Sequence, residues 1–218
     1  MNPINSNSTE IPFSKHPLRL LLRHAFQNNV VLNCLTSQAL IELENILTIV
    51  DIAKNKPLLV QGTSEMEQYF ILEGVLKRVV TNHEGKQMIL RFAQASQFET
   101  TYAAWRLKNR APYSICSITR ARVAKCPMAL WAEYLDTHPK LKHDFEYEVM
   151  RLMSEVMEHT TALHLLDATG RLARFQDGNP GLIELLPRKD LALYLNLAPE
   201  TLSRVLCSHD HHSLPLVV

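Results

Sequence analysis

Residues 186–206 read LPRKDLALYLNLAPETLSRVL, a pattern typical of two short helices joined by a tight turn. Pro187 and Pro199 suit the starts of the two helices, where the missing N–H group of proline costs nothing. Asn196 stands where the chain reverses, and Asn adopts the left-handed backbone conformation more readily than most residues. Ala192 is small at the place where the second helix must cross the first closely. The apolar side chains that would form the shared core are Leu191, Leu195, Leu197, Leu202, Val205 and Leu206.

The start of the second helix carries Glu200, Ser203 and Arg204, which would face outward. In a helix-turn-helix, that end of the second helix enters the major groove of DNA. The alternative is a helical hairpin whose surface charges are only solvated. For an isolated pair of amphipathic helices the alternative would be preferred, so the choice depends on the rest of the chain.

A long apolar stripe precedes this pair. No Gly or Pro interrupts residues 140–169, which predicts one helix of about thirty residues, about 45 Å long. Such a stripe can bury itself against a twin helix in a dimer, or it can pack only on its own β domain. We prefer the dimer because a helix of this length extends beyond the face of a small domain. The predicted dimer seam is Phe145, Val149, Leu152, Val156 and Leu163, and Met150, Met153 and Met157 broaden the stripe. Gly170 is expected to break or bend the helix.

The first half of the chain changes from helical to strand-like patterning. Residues 18–47 have apolar side chains at helical spacing, whereas short apolar runs separated by turn residues follow after residue 49. The predicted strands lie at residues 58–60, 69–72, 75–80, 86–92, 113–118 and 121–126. Many short strands with frequent turns favour a β-sandwich or jelly roll, so the fold class is α+β.

Several motifs in the right order resemble the Crp–Fnr superfamily, the regulators related to the cyclic-AMP receptor protein and the fumarate–nitrate regulator. The segment Glu200-Thr201-Leu202-Ser203-Arg204 is similar to the family's recognition-helix signature. Gln61-Gly62, the run YFILEG at residues 69–74, and Gly85-Lys86 look like its sensor β-roll. The resemblance covers most of the chain. It implies an N-terminal cyclic-nucleotide-binding-like β-roll, a long dimerisation helix and a C-terminal helix-turn-helix.

The resemblance also implies a domain division. Residues 1–17 would be a flexible arm, 18–136 the sensor domain, 137–169 the dimerisation helix and 170–218 the helix-turn-helix domain. The family's β-hairpin wing, which follows the recognition helix, has no counterpart in the sequence. We therefore expect a shortened C-terminus and a less fully covered helix-turn-helix core.

The family's roles can be carried over to matching residues. Arg204 would donate to guanine O6 and N7, Glu200 would accept from a cytosine amino group and orient Arg204, and Ser203 would add a smaller contact. Phosphate contacts would come from Arg188, Lys189 and Thr201. The expected function is a sequence-specific, homodimeric DNA-binding transcription regulator that responds to an unidentified signal at the β-roll. Its partners would be palindromic double-stranded DNA, a second copy of the chain, and RNA polymerase. The recognition pattern looks closer to the fumarate–nitrate branch, whose half-sites resemble TTGA.

The sensor region departs from the nucleotide-binding members of the family. Phe98 stands where a glycine would let the backbone approach a ligand, and Arg110 lies one residue early for the expected Arg-Ser pair. A one-residue shift in a strand reverses the face. We therefore expect no cyclic nucleotide, and Glu99 and Arg110, the weak candidates for an effector pocket, should be solvated surface residues.

Other sites and functions find less support. The four cysteines are scattered, so no iron–sulfur cluster is expected, no motif recommends haem, and reduced thiols indicate a cytoplasmic protein. The segment 207–212, CSHDHH, is expected to be a mobile polar tail and not a metal site. No apolar run is long enough to span a bilayer, and no phosphate loop, GxSxG or HExxH motif indicates an enzyme.

The net charge of +1 argues against strong non-specific DNA binding. This weak basicity and the unusual C-terminus keep an alternative function open. In that alternative, the chain is a sensor and dimerisation module that has lost DNA recognition.

Overall fold

The computed structural model describes residues 10–212, with side chains as far as Cys207. The strands are β1 (Glu10–Pro12), β2 (Thr48–Ile52), β3 (Pro57–Leu59), β4 (Glu67–Glu73), β5 (Val75–Thr81), β6 (Gln87–Gln94), β7 (Phe98–Glu99), β8 (Ser114–Ser117) and β9 (Ala121–Pro127). The α-helices are α1 (Arg19–Gln27), α2 (Ser37–Ile46), α3 (Tyr102–Arg106), α4 (Met128–Thr137), α5 (Pro139–Leu165), α6 (Ala168–Gly178), α7 (Leu182–Leu185), α8 (Arg188–Leu195) and α9 (Pro199–His212).

The strands form two antiparallel sheets, which confirms the predicted α+β fold with a β-roll. One sheet has the order β1-β2-β9-β4-β7 and the other the order β3-β8-β5-β6. The predicted hairpin joins β5 to β6 through a turn in which Gly85 has φ 81° and the Asn82 side chain accepts from the N–H of Glu84 and of Lys86. Gly is favoured in such turns because it adopts a positive φ, and Asn because its side chain binds backbone N–H groups nearby.

Aromatic side chains connect the β-roll to the helices around it. Phe70 of β4 packs edge-on against Trp131 of α4 and near Phe26 of α1, and Trp131 also meets Phe145 of α5. Each of these rings is 1% exposed or less. The long helix is therefore anchored in the core of the β-roll.

The N-terminal prediction is partly wrong. Residues 10–12 form β1, which pairs with β2, and Phe13 is fully buried against Phe26. Residues 10–17 are therefore not a flexible arm, because backbone pairing and an apolar anchor hold them. Residues 1–9 lie outside the described part of the chain.

The predicted single helix over residues 137–169 is also corrected. Helix α5 begins at Pro139 and ends at Leu165, and α6 begins at Ala168. Asp167 caps α6, its Oδ1 accepting from the N–H of Gly170 at 2.8 Å. Gly170 lies in the first turn of α6, so the break comes from the cap and not from the glycine.

The predicted dimer seam faces the chain's own core. Phe145, Val149 and Leu152 belong to the sensor core, Leu163 is 7% exposed, and Val156 is half-buried. The exposed apolar face of α5 instead carries Tyr147, Met150, Met153 and Met157, which are 56–70% exposed. The alternative interpretation of the stripe, packing on the chain's own β domain, is correct for Phe145, Val149 and Leu152.

Candidate nucleic-acid interface and sensor interior

Helices α8 and α9 form the predicted helix-turn-helix. Helix α8 ends at Leu195 and is followed by its C-cap Asn196, whose φ and ψ of 50° and 49° are left-handed. The N–H groups of Asn196 and Leu197 both donate to the carbonyl of Ala192. Arg171 of α6 donates to the carbonyl of Leu195 at 3.1 Å. Leu202 of α9, 1% exposed, closes the core of the pair. These contacts fix the turn that sets the direction of the second helix.

The predicted DNA-reading side chains share one exposed surface at the start of α9. Glu200, Ser203 and Arg204 are exposed, and Arg204 Nη2 lies 3.4 Å from Thr201 Oγ1. Within the described residues no ion pair joins Glu200 to Arg204, so the expected orienting contact is absent from this structure. An exposed guanidinium near the start of such a helix can donate to a base edge.

The predicted phosphate contacts lie at the start of α8. Arg188 and Lys189 are exposed, whereas Thr201 is half-buried. Positive side chains here would hold the protein on the backbone without reading sequence. These roles remain predictions.

The prediction that residues 207–212 form a mobile polar tail is wrong. Helix α9 continues through His212, so the segment 207–212 is helical. In the described part of the chain, no group of three His, Cys, Asp or Glu side chains could hold a metal. The expectation that the wing is missing concerns residues 213–218, which lie outside the described residues.

The interior of the β-roll contains a buried ion-pair cluster. Glu99 is fully buried, and its Oε2 accepts from Arg78 Nη2 at 2.6 Å and from Arg78 Nε at 3.0 Å. Its Oε1 lies 3.2 Å from Arg91 Nη1. The expectation that Glu99 is solvated is therefore wrong. The sequence missed the cluster because the two arginines come from other strands.

Aromatic rings fill the space around this cluster. The Arg78 guanidinium lies 4.2 Å from the ring centre of Tyr113, and burial raises the pKa of Tyr113. Phe98 is 1% exposed and packs against Phe145 with ring centres 5.4 Å apart. Arg110, by contrast, is exposed and donates from Nη1 to the carbonyl of Gly62 at 3.0 Å. The structure therefore places Glu99 and Arg110 in different surroundings.

An open cavity of about 750 Å³ lies elsewhere in the sensor domain. Leu59, Tyr69 and Trp105 are among its lining side chains. At its rim, Lys125 Nζ lies 2.9 Å from Glu10 Oε1 and 3.0 Å from Glu67 Oε1. A cavity of this size is typical of small-molecule sites.

The helix-turn-helix contacts the sheet of the β-roll directly, which the sequence did not predict. Lys77 Nζ of β5 and Asp190 Oδ1 of α8 lie 2.6 Å apart, and their side chains are only 17% and 6% exposed. The sequence pattern that could have indicated this contact is the pair Lys77-Arg78 inside an otherwise apolar strand. Because neighbouring strand residues face opposite sides, each face of the strand carries one charge that needs a partner.

A stacked pair of rings completes this junction. His159 of α5 stacks on Tyr194 of α8 with ring centres 3.8 Å apart and 10° between the planes. Burial lowers the pKa of His159 to about 4 and raises that of Tyr194 to about 12. The long helix, the sensor sheet and the helix-turn-helix therefore meet at one place.

No helix in residues 10–212 has the length and hydropathy needed to cross a membrane.

No protein-family model matches the chain. The nitrogen fixation regulation protein FixK of Bradyrhizobium diazoefficiens is 22% identical over 205 residues, which cover 89% of this chain and 85% of the relative. In fold, the chain is similar to the c-di-GMP responsive global regulator CLP of Xanthomonas campestris, with a TM-score of 0.67, 12% identity, and coverage of 82% of this chain and 94% of CLP. It is also similar to FixK2 of Bradyrhizobium japonicum, with a TM-score of 0.65, 16% identity, and coverage of 79% and 89%.

Proposed function

We propose, from the premise that this chain has the fold of the Crp–Fnr superfamily and is related in sequence to it, that it is a DNA-binding transcription regulator and not an enzyme. The observation that carries the proposal is the exposed group Glu200, Ser203 and Arg204 at the start of the second helix of a helix-turn-helix. Arg204 donates to guanine, and Glu200 and Ser203 contact neighbouring base edges. Arg188, Lys189 and Thr201 hold the phosphate backbone.

The regulator acts as a homodimer on palindromic DNA. The exposed stripe of Tyr147, Met150, Met153 and Met157 supports this part of the proposal, because these residues recur at helical spacing on a face that the described part of the chain leaves exposed. A second copy would cover the stripe with the same stripe, as twofold symmetry requires. Two recognition helices would then meet half-sites about one helical turn apart. RNA polymerase is a further partner in this proposal, and the protein would act in the cytoplasm.

The signal reaches the β-roll by a route other than the family's nucleotide contacts. The Glu99 carboxylate is already paired with two arginines, and Arg110 is exposed to solvent. The rings of Phe98 and Tyr113 fill the space next to Glu99. These observations support the absence of cyclic-nucleotide binding. The open cavity beside Leu59 and Trp105 is the place where we expect a signal molecule instead.

The test is a titration of a labelled TTGA palindrome, followed by fluorescence anisotropy at several salt concentrations. Arg204→Ala should weaken binding to the palindrome about 10- to 100-fold, and it should lose most of its preference over a scrambled duplex. The control is Arg106→Ala, which removes an exposed arginine of α3 whose guanidinium lies over the ring of Tyr102. Equal binding by the Arg204→Ala variant and the unchanged protein would remove Arg204 from the proposed role.

The salt dependence separates this function from its alternative, a sensor and dimerisation module that has lost DNA recognition. Phosphate contacts release counterions, so binding should fall steeply as salt rises. Indifference to every duplex at low salt would favour the alternative.

A further inference from the structure

Strands β5 and β6 present different chemistry on their two faces. Lys77 and Phe92 are register partners, and so are the next residues inward along each strand, Arg78 and Arg91. Because neighbouring residues in a strand face opposite sides, the first pair lies on the outer face and the second on the inner face. The same short segment of sheet therefore contacts two parts of the molecule.

The outer face supports the DNA-binding unit. The Phe92 ring lies 5.0 Å from Tyr194 and 6.1 Å from Phe175, measured between ring centres. Next to it, Lys77 forms the ion pair with Asp190. The sheet residues that share one apolar core with α6, α8 and α9 are Val75, Val79, Ile89, Phe92 and Ile118. The position of α8 therefore depends on the position of these strands.

The inner face carries two arginines opposite each other. Like charges directly opposite in a sheet repel, and here both guanidiniums are nearly buried. The carboxylate of Glu99 lies between them and contacts both. Glu99 therefore stabilises the pairing of β5 and β6 next to Lys77 and Phe92, the residues that contact α8 on the outer face.

We propose that Lys77 and Asp190 are positioning residues for the recognition helix, and that Glu99 controls their contact through Arg78 and Arg91. The inference rests on the proposed function for its consequence, since the orientation of α8 sets the direction in which α9 meets DNA. A rearrangement of the β-roll that moves the Glu99 carboxylate shifts β5 and releases the outer ion pair.

The first experiment follows amide hydrogen exchange of α8 in the full-length protein without DNA, with the amides of β9 as internal reference. Asp190→Asn and Lys77→Met should each speed exchange in α8 by about tenfold or more while β9 stays unchanged, because each leaves one buried charge unpaired. The double variant Lys77→Asp with Asp190→Lys restores an ion pair and should recover most of the protection. Equal exchange in all four proteins, or no recovery in the double variant, overturns the inference.

The second experiment tests the control from inside. Glu99→Gln keeps the size of the side chain but removes its charge, so exchange in α8 should rise even though the charged partners of Glu99 are Arg78 and Arg91 of the strands. The control is Glu73→Gln, which neutralises a 62% exposed partner of Arg122 on β4. Faster exchange confined to the strands around Glu99 overturns the coupling.

The consequence for DNA is measured with duplexes that keep the TTGA half-sites and vary the spacing between them. Lys77→Met should lower affinity about tenfold at the preferred spacing and broaden the spacing preference. An affinity loss that is equal at every spacing overturns the positioning role. If the unchanged protein binds no duplex, the proposed function fails, and the exchange comparison still decides the inference.

Discussion

The imidazole of His159 lies flat on the phenol ring of Tyr194, 3.8 Å between ring centres, and so connects the long helix to the first helix of the helix-turn-helix. Burial lowers the pKa of His159 from 6.5 to about 4. The charged groups that line the same junction are Arg91, Arg171, Arg174, Glu155 and Glu158. Protonating His159 therefore places a new charge in a partly buried site that already holds more positive than negative charge.

This arrangement predicts acid sensitivity of the fold. Because the folded pKa lies below the unfolded value, the stability contributed by neutral His159 is complete above pH 6.5 and is lost as the pH falls toward 4. Urea unfolding at pH 7 and pH 5 measures this effect. Between these pH values the free energy of unfolding of His159→Phe should fall by about 1–2 kcal/mol less than that of the unchanged protein. Exposed His83 gives the control His83→Gln, which should follow the unchanged protein. Parallel pH curves for His159→Phe and the unchanged protein would contradict the prediction.

The exposed face of α5 predicts a dimer that a single charge can disrupt. Met153→Glu places a carboxylate in the middle of the stripe, where the same residue of a second copy would face it. We expect sedimentation equilibrium to show a dimer for the unchanged protein and a shift toward monomer for the variant. Leu107→Glu, a matched change at a 71% exposed residue outside α5, should leave the dimer intact. A monomeric unchanged protein would contradict the proposed assembly.

The turn of the helix-turn-helix predicts a glycine-tolerant position. Asn196 has φ 50°, so Asn196→Ala should destabilise the protein by about 1 kcal/mol, since most residues avoid this conformation. Asn196→Gly should be close to neutral, because glycine adopts the conformation without steric cost. Thermal unfolding of the two variants measures the difference. Equal melting temperatures would show that the turn can change its conformation.

Two glycines of the β-roll predict unequal costs. Gly74 has φ 88°, and a Cβ there would lie 2.4 Å from the carbonyl oxygen of Arg120. Gly85 has a similar φ of 81° but open space around it. Gly74→Ala should therefore cost clearly more than the approximately 1 kcal/mol expected for Gly85→Ala, where only the backbone conformation is unfavourable. Chemical denaturation of both variants provides the comparison.

The β-roll and the helix-turn-helix could be predicted because their signals are local. Turn residues such as Gly85 and Asn196 mark chain reversals, and the apolar runs between them have the period of the element they form. The exposed positions of Glu200 and Arg204 follow from the same periodicity.

The other features depend on contacts between distant segments. Helix α5 has two apolar faces with the same period, so the pattern could not show that Phe145 packs inward and Met153 outward. Glu99 is buried because arginines from β5 and β6 neutralise it, and a charged residue in a polar run gave no sign of them. The break after Leu165 had one local signal in the sequence, the N-cap residue Asp167. The stretch was predicted as one helix because it contains no Gly or Pro.

That break limits how the molecule can change shape. Only Leu166 and Asp167 separate α5 from α6, and so short a connection spans at most about 10 Å when fully extended. Helix α9 therefore cannot move freely away from the long helix. Any rearrangement that retains both helices has to be a rotation about these two residues.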